Sequence, residues 1–329
     1  MKIGIIGAGN IGSELYRKTK ALGGDIKFVL KDDGVYKNLD EKVDNLKNYN
    51  RHFNNLDVAF LAIPTLDDGK TAFKYIEKLL LLKDIPVVTC EKGALSNYFR
   101  YLRPYLDKIG YSATVGGGTR LLRYLEERIS PDVKEIHAVV NGTLNYIFDE
   151  VSRGRSLGEV AEEAKKLGYA EPGAKNHLEV INKEATKDIP MKTSILFNIS
   201  KLASNCVNAK NIKCNEIGEP ELKKLIKESK KRRYIVSISK EDNGEDIIGG
   251  FKHKIEDWII SAGFKDISEN SLYSKLVPSG VNNSILICEG EHGINGAYVL
   301  SGQGAGAEPT TSSMIKDAIN LAKVKSDKC

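Results

Sequence analysis

Asp188 and Lys192 stand four residues apart in Lys187-Asp188-Ile189-Pro190-Met191-Lys192. A helix opening there puts a carboxylate and an ammonium on one face. On a solvated face this is an ordinary ion pair. Here it runs into Thr193-Ser194-Ile195-Leu196-Phe197, a stretch apolar enough to be buried. A lysine at the edge of a core can take part in proton transfer. A second lysine, Lys92, lies in Thr89-Cys90-Glu91-Lys92-Gly93, just after an apolar run. In an open α/β sheet that position faces the ligand crevice; the plain alternative is a solvated surface lysine. Pro64-Thr65 ends another apolar run and reads the same way. Asn141-Gly142-Thr143 offers small polar residues at the opening of a helix, and Gly168-Tyr169-Ala170-Glu171-Pro172 follows the end of one.

The N-terminus supplies a different chemistry. An apolar run breaks into Gly7-Ala8-Gly9-Asn10-Ile11-Gly12, and a helical pattern follows over 13–22. Strand, glycine turn and helix in that order form a dinucleotide fingerprint. Gly7 permits the tight turn, Gly9 admits a pyrophosphate close to the backbone, and Gly12 lets the helix pack on the strand. The helix N-terminus after this turn presents N–H groups to phosphate, with Asn10 and Ile11 beside it as further cofactor contacts. Cofactor choice is read after the second strand, where an acid favours NAD and a cation favours the 2′-phosphate of NADP. Lys31 stands nearest that strand end and favours NADP. Asp32 and Asp33 keep NAD open.

The elements that must position these groups fall into two sets. Strand-like runs at 2–6, 25–30, 58–63 and 86–89 alternate with helical patterns at 71–82 and 97–109, with 111–115 extended. This alternation predicts a Rossmann-type, doubly wound parallel sheet. After Gly116-Gly117-Gly118 the character changes. Helical stretches at 144–153, 157–167 and 189–205 mix with strand-like runs at 135–140, 234–238, 247–251, 284–289 and 296–300, which reads as an α+β second domain with an open sheet. Pro190 falls in a first helical turn, where its missing N–H costs nothing. Gly302-Gln303-Gly304-Ala305-Gly306 precedes a last helix over 310–322 that returns to the first domain. The expected division is therefore 1–118 plus 302–329 for the dinucleotide domain, and 119–301 for a substrate-binding and dimerisation domain.

Composition narrows the class. The 329 residues are 41% hydrophobic, enough for about two globular domains. No apolar stretch approaches the roughly 18 residues of a membrane span, and the first residues lack a signal-peptide layout, so a cytoplasmic protein with no membrane partner is expected. The five cysteines (Cys90, Cys206, Cys214, Cys288, Cys329) and the five histidines are scattered, which suggests neither a disulfide framework, a structural zinc site nor a histidine triad. Cys329 is expected to be a free thiol. Net charge is +5, from 49 basic and 44 acidic residues. The densest basic run, 223–233, reads as a solvated helix face rather than a nucleic-acid surface, because no aromatic residues interleave it.

Seven stretches, in order, carry a family resemblance: GIIGAGNIG (4–12), VVTCEKGAL (87–95), SATVGGGT (112–119), NGTLNYI (141–147), GYAEP (168–172), KDIPMKTSIL (187–196) and SGQGAGAEPTTSSMIKDAI (301–319). Together they resemble the homoserine dehydrogenase family. The resemblance implies NAD(P)-linked interconversion of L-homoserine and L-aspartate 4-semialdehyde in threonine and methionine biosynthesis, by a homodimer built through the second domain. It implies that Lys192 exchanges the proton at the reacting oxygen and that Lys92, in a segment where the family has a TANK-like sequence, orients that oxygen. It assigns Glu171 and Asp188, with Asn141, Gly142 and Thr143, to the substrate. Gly168 and Gly304 go to the cofactor with the N-terminal glycines, Lys31, Pro64, Thr65 and Lys92. It also implies a monovalent cation, Na+, held by backbone carbonyls of Ser112, Val115, Gly117 and Thr119. The chain ends soon after the last motif, so no regulatory domain or fused aspartate kinase is expected.

Two departures stand out. The interval from Glu171 to Lys192 is about six residues longer than the family pattern, and the first family aspartate has no counterpart; Glu179 or Glu184 could take its place. Arg120 follows the glycines where an apolar residue or proline is usual. These departures leave open a related amino-acid or semialdehyde dehydrogenase of altered substrate, and a non-catalytic NAD(P)-binding regulator.

Overall fold

The computed structural model describes residues 1–170, 173–242, 244–268 and 270–326, with side chains as far as residue 323. The backbone divides into two units, 1–118 with 306 onward, and 119–305. The chain returns to the first unit at Gly306, not at residue 302, because the last strand of the second unit runs through Gln303.

The first unit is built on β1 (Lys2–Ile6), β2 (Asp25–Leu30), β3 (Gly34–Tyr36), β4 (Lys42–Asn45), β5 (Val58–Leu61), β6 (Val87–Thr89) and β7 (Ile109–Gly110). Among the described residues they form a seven-stranded sheet in the order β4-β3-β2-β1-β5-β6-β7. The strands from β2 to β7 are parallel, and β3 and β4 add an antiparallel edge. Ile3, Ile5, Val58 and Phe60 are buried in a core shared with Leu15, Met314 and Ala318. Apolar residues on successive positions suit strands covered on both faces. Helices Asn10–Ala21 and Ala307–Ser326 belong to this unit, and Lys18 of the first pairs with Glu308 of the last at 2.7 Å.

The second unit contains β8 (Val133–Val139), β9 (Arg232–Ser239), β10 (Ile248–Ile255), β11 (Trp258–Asp266), β12 (Asn282–Glu289) and β13 (Gly296–Gln303). Among the described residues these make an antiparallel sheet in the order β10-β11-β9-β8-β12-β13. The helices that matter for chemistry are Gly142–Ser152, Leu157–Lys166, His177–Lys183 and Ile189–Ser200.

Several local expectations are corrected. Residues 111–115 are not extended; Ser112–Thr114 is a 3-10 turn, and the strand is the two residues before it. The helix expected over 97–109 is broken at Tyr98 into Gly93–Asn97 and Phe99–Leu102, and past Leu102 it passes into a 3-10 stretch at Pro104, because proline cannot donate to a continuing helix. The helix expected over 189–205 does not open at Ile189 but continues from the π-turn Glu184–Asp188, so Pro190 lies within a helical run, and it stops at Ser200, where Lys201 turns left-handed. The basic run 223–233 is not one solvated face: its helix ends at Lys227, and Arg232 and Arg233 are buried in β9. Arg232 donates to Glu228 and Asp246, so its charge is paired internally. No described helix is long and apolar enough to cross a membrane.

Candidate active site

In the first unit the turn after β1 opens a cleft of about 580 Å³ between Gly7, Gly9, Lys31, Asp32, Pro64 and Tyr75. The three glycines answer to different demands. Gly7 has φ +97°, and a Cβ there would lie 2.3 Å from the Ala62 carbonyl oxygen. A Cβ on Gly12 would lie 1.9 Å from the Gly7 carbonyl oxygen. Both glycines are fixed by packing within the protein. A Cβ on Gly9 would meet nothing within 4 Å. Gly9 is also the N-cap of helix Asn10–Ala21, whose first turn receives no side-chain cap. Open space at Gly9 thus adjoins a helix start that has no side-chain cap, which fits a phosphate-bearing cofactor.

Lys31 is the first residue after β2. Its ammonium donates to the Leu39 carbonyl at 2.5 Å and stands 4.2 Å from the centre of the Tyr36 ring. Both partners belong to the β3–β4 region, which nothing in the hydrophobic pattern had marked. Asp33 is drawn into the same edge: it accepts from the Tyr36 hydroxyl at 2.8 Å and pairs with Lys42 at 3.1 Å. The Tyr36 hydrogen bond, then Lys42, holds its carboxyl below the usual range. Of the two neighbouring acids, Asp32 is the one that lines the cleft.

After β5 and β6, Thr65 donates to Glu91 at 2.6 Å, and Lys92 is the N-cap of helix Gly93–Asn97. Desolvation pushes the Cys90 thiol up to about 12, away from the thiolate form that attacks. In the segment expected to hold a cation, the Ser112 hydroxyl and N–H donate to Asp317, and the Gly117 carbonyl accepts from Ser313 at 2.9 Å. Val115 is buried, and the Thr119 hydroxyl, in the second unit, donates to the Gln303 carbonyl. Among the described residues no group of three or more His, Cys, Asp or Glu side chains could hold a metal ion. Cys329 lies outside the described residues.

The second unit gathers a tighter constellation. Asn141 is the N-cap of helix Gly142–Ser152, its Oδ1 accepting from the Leu144 N–H at 2.8 Å. That bond fixes the amide orientation, so Nδ2 must donate in the other direction. It donates to Glu184 Oε2 at 2.5 Å and to Asp188 Oδ2 at 2.8 Å. Asp188 pairs in turn with Lys192 at 2.7 Å, and the Lys192 ammonium also donates to the Val140 carbonyl at 2.9 Å. Asn141, Glu184 and Asp188 are each less than 10% exposed. The Asp188–Lys192 pair is thus part of a buried polar network, not a surface ion pair.

Glu184 is the residue that sequence reasoning could name only as one of two options. The other, Glu179, accepts from the Lys175 N–H and pairs with Lys183 at 3.1 Å, apart from the cluster. Glu184 enters because residues Glu184–Asp188 form a π-helical turn between two α-helices. Such turns recur at functional sites. No periodicity in the sequence signals it.

The neighbouring motifs explain one another. Thr143 donates to the Tyr169 carbonyl at 2.6 Å, and the Tyr146 ring meets the Tyr169 ring edge-on at 5.3 Å. The helix that starts at Asn141 therefore holds the turn at Gly168, whose φ of +71° ends helix Leu157–Lys166. Glu171, expected to bind substrate, lies outside the described residues. Gly142 approaches the Val281 carbonyl, and Gly304 abuts Asn283, leaving no room for a side chain at either.

Comparison with known proteins identifies the family. The family model for homoserine dehydrogenase matches residues 122–319. The Helicobacter pylori homoserine dehydrogenase is 26% identical, over 99% of this chain and 75% of that protein. The chain spans about half the length of several other curated relatives it matches. Among solved structures, the Thermoplasma acidophilum homoserine dehydrogenase superposes with a TM-score of 0.73 at 19% identity, over 98% of this chain and 99% of that one. A hyperthermophilic archaeal homoserine dehydrogenase in complex with NADPH gives 0.70 at 20% identity, over 98% of each chain. The structural likenesses speak for the fold, a parallel and an antiparallel sheet in one chain. The family model spans more than half of the chain, including every residue of the Asn141–Lys192 cluster, and this chain belongs to the homoserine dehydrogenase family.

Proposed function

We propose that the chain catalyses the NADP-linked interconversion of L-homoserine and L-aspartate 4-semialdehyde, a step toward threonine and methionine. The observation that carries this reading is the Asn141–Glu184–Asp188–Lys192 network. An amino-acid substrate needs carboxylates for its ammonium, and a carbonyl being reduced needs a proton donor where negative charge develops. The network holds both kinds of group in one hydrogen-bonded frame. A bound nicotinamide supplies or accepts the hydride. Glu184 and Asp188, with Glu171, receive the substrate ammonium. Two N–H groups of Lys192 are used by Asp188 and the Val140 carbonyl, and the third is left for the substrate oxygen. Lys192 protonates that oxygen in reduction and takes the hydroxyl proton in oxidation. Lys92 has the task of orienting the carbonyl. No step runs through a cation. A homodimer formed through the second unit and a cytoplasmic location are parts of this reading that rest on family membership.

Glu184→Gln tests the substrate assignment. The variant keeps an acceptor for Asn141 but loses the charge, so KM for L-homoserine should rise about 10- to 100-fold, the usual worth of a hydrogen bond to a charged group. NADPH affinity should be unchanged in a fluorescence titration. An unaltered KM would remove Glu184 from the substrate site.

NADP is preferred over NAD in this reading because Lys31 is held in place by Leu39 and Tyr36 while still lining the cleft. An anchored ammonium meets a 2′-phosphate without paying to order its side chain. Lys31→Ala should raise KM for NADPH about tenfold or more and leave that for NADH nearly unchanged. Equal effects on both cofactors would point to Asp32 and to NAD.

The π-turn at Glu184–Asp188 lies in the interval that is longer than the family pattern, which also favours a second reading, a related amino-acid semialdehyde as substrate. A screen of amino-acid semialdehydes and hydroxy amino acids separates the two by kcat/KM.

A further inference from the structure

Glu91 is a carboxylate that neither the hydride chemistry nor substrate binding uses, yet it is only 2% exposed. A buried carboxylate is costly unless donors satisfy it. Its Oε1 accepts from the Thr65 hydroxyl and from the Gly93 N–H, both at 2.6 Å, and its Oε2 accepts from the Ala94 N–H at 2.9 Å. Its own N–H donates to Thr89 Oγ1 at 2.9 Å, and that hydroxyl donates to the Leu61 carbonyl at the end of β5. One donor, Thr65, therefore comes from the loop after β5, and the other two are the first N–H groups of helix Gly93–Asn97, which follows β6. These segments also meet backbone to backbone: a Cβ on Gly69 would lie 2.0 Å from the Gly93 carbonyl carbon. Pro64 and Leu66, on either side of Thr65, line the nucleotide cleft. Lys92 sits between two residues whose N–H groups are both tied into this knot.

We propose that Glu91 is a positioning residue that locks the loops after β5 and β6 into one platform and so fixes the backbone from which Lys92 acts. The inference rests on the functional reading given above. It makes Glu91 a tie between two strands' loops, and it separates Glu91 from the cofactor phosphate site, which is built on Gly9 and helix Asn10–Ala21.

The test is a double-mutant cycle in the full chain with Glu91→Ala, Glu91→Gln, Lys92→Ala and the double variant Glu91→Ala/Lys92→Ala. The measurements are kcat and KM with L-aspartate 4-semialdehyde, NADPH affinity by fluorescence, and Tm. Glu91→Ala should lower kcat about 30-fold or more, as expected when a reacting group is displaced by about an ångström, with NADPH affinity within about threefold. Glu91→Gln retains two of the acceptor contacts and should recover most of the loss, which guards against a mere folding defect. In the Lys92→Ala background, Glu91→Ala should change kcat little. An unchanged kcat in Glu91→Ala, a loss as large in the Lys92→Ala background as alone, or a loss of NADPH binding in step with kcat would overturn the proposal. A wild-type chain without turnover, or Lys92→Ala without effect, would overturn the functional reading, and this inference with it.

Discussion

Lys192→Ala is expected to lower kcat about 10³-fold, the scale of a positioned general acid, or roughly 4 kcal/mol of transition-state stabilisation. NADPH affinity should stay within about threefold of wild type, because the cleft after β1 is built from residues of the first unit alone. The side effects of the substitution are bounded by the geometry. Removing the ammonium leaves Asp188 still bonded to Asn141 at 2.8 Å, and the Val140 carbonyl loses one donor. Steady-state kinetics with both substrates, beside an NADPH titration, check the split. A kcat within threefold of wild type would mean that another group supplies the proton. Lys192→Arg makes the contrast sharper, since arginine keeps the charge but does not give up its proton.

Gly9→Val is expected to abolish NADPH binding, a loss of more than about 100-fold in affinity or some 2.7 kcal/mol, while the chain still folds. The backbone at Gly9 is extended, with φ −68° and ψ −164°, which valine adopts readily. The absence of any atom near its would-be Cβ means that the side chain meets only what the cleft binds. Gly12→Ala is the informative control. Its Cβ would strike the Gly7 carbonyl, so that variant should lose thermal stability first. If Gly9→Val bound NADPH normally, the cleft would not be the phosphate site.

The parts of this protein that were legible in the sequence are those written in local pattern. The apolar runs of β1, β2 and β5 and the glycine turn after β1 state the parallel sheet and its first strand–turn–helix unit almost residue by residue. The turn at Gly168 announces a helix end that the structure keeps, whereas the helix expected to open at Asp188 continues an earlier helical run through the π-turn. What could not be read depends on contacts far apart in the chain or on irregular backbone. The β3–β4 edge is made of short, charged segments whose partners are the strand before them and each other, so no hydrophobic period marks it. Its effect on Lys31 and Asp33 was equally hidden. Arg232 and Arg233 looked solvated because a sequence does not show that β9 lies between β8 and β11. Glu184 needed the π-turn, a change of helical register by one residue that leaves no compositional trace. Glu91 looked like a polar residue beside Lys92 until Thr65, Gly93 and Ala94 were seen to converge on it.

The most direct test of the central claim is oxidation of NADPH and of NADH, measured separately, by the purified chain with L-aspartate 4-semialdehyde. Turnover with a higher kcat/KM for NADPH than for NADH is the expected result, and it would establish both the reaction and the part played by Lys31. No turnover with either cofactor, in protein shown to bind them, would contradict the account, and would mean that the carboxylate frame of Glu184 and Asp188 serves another substrate or none.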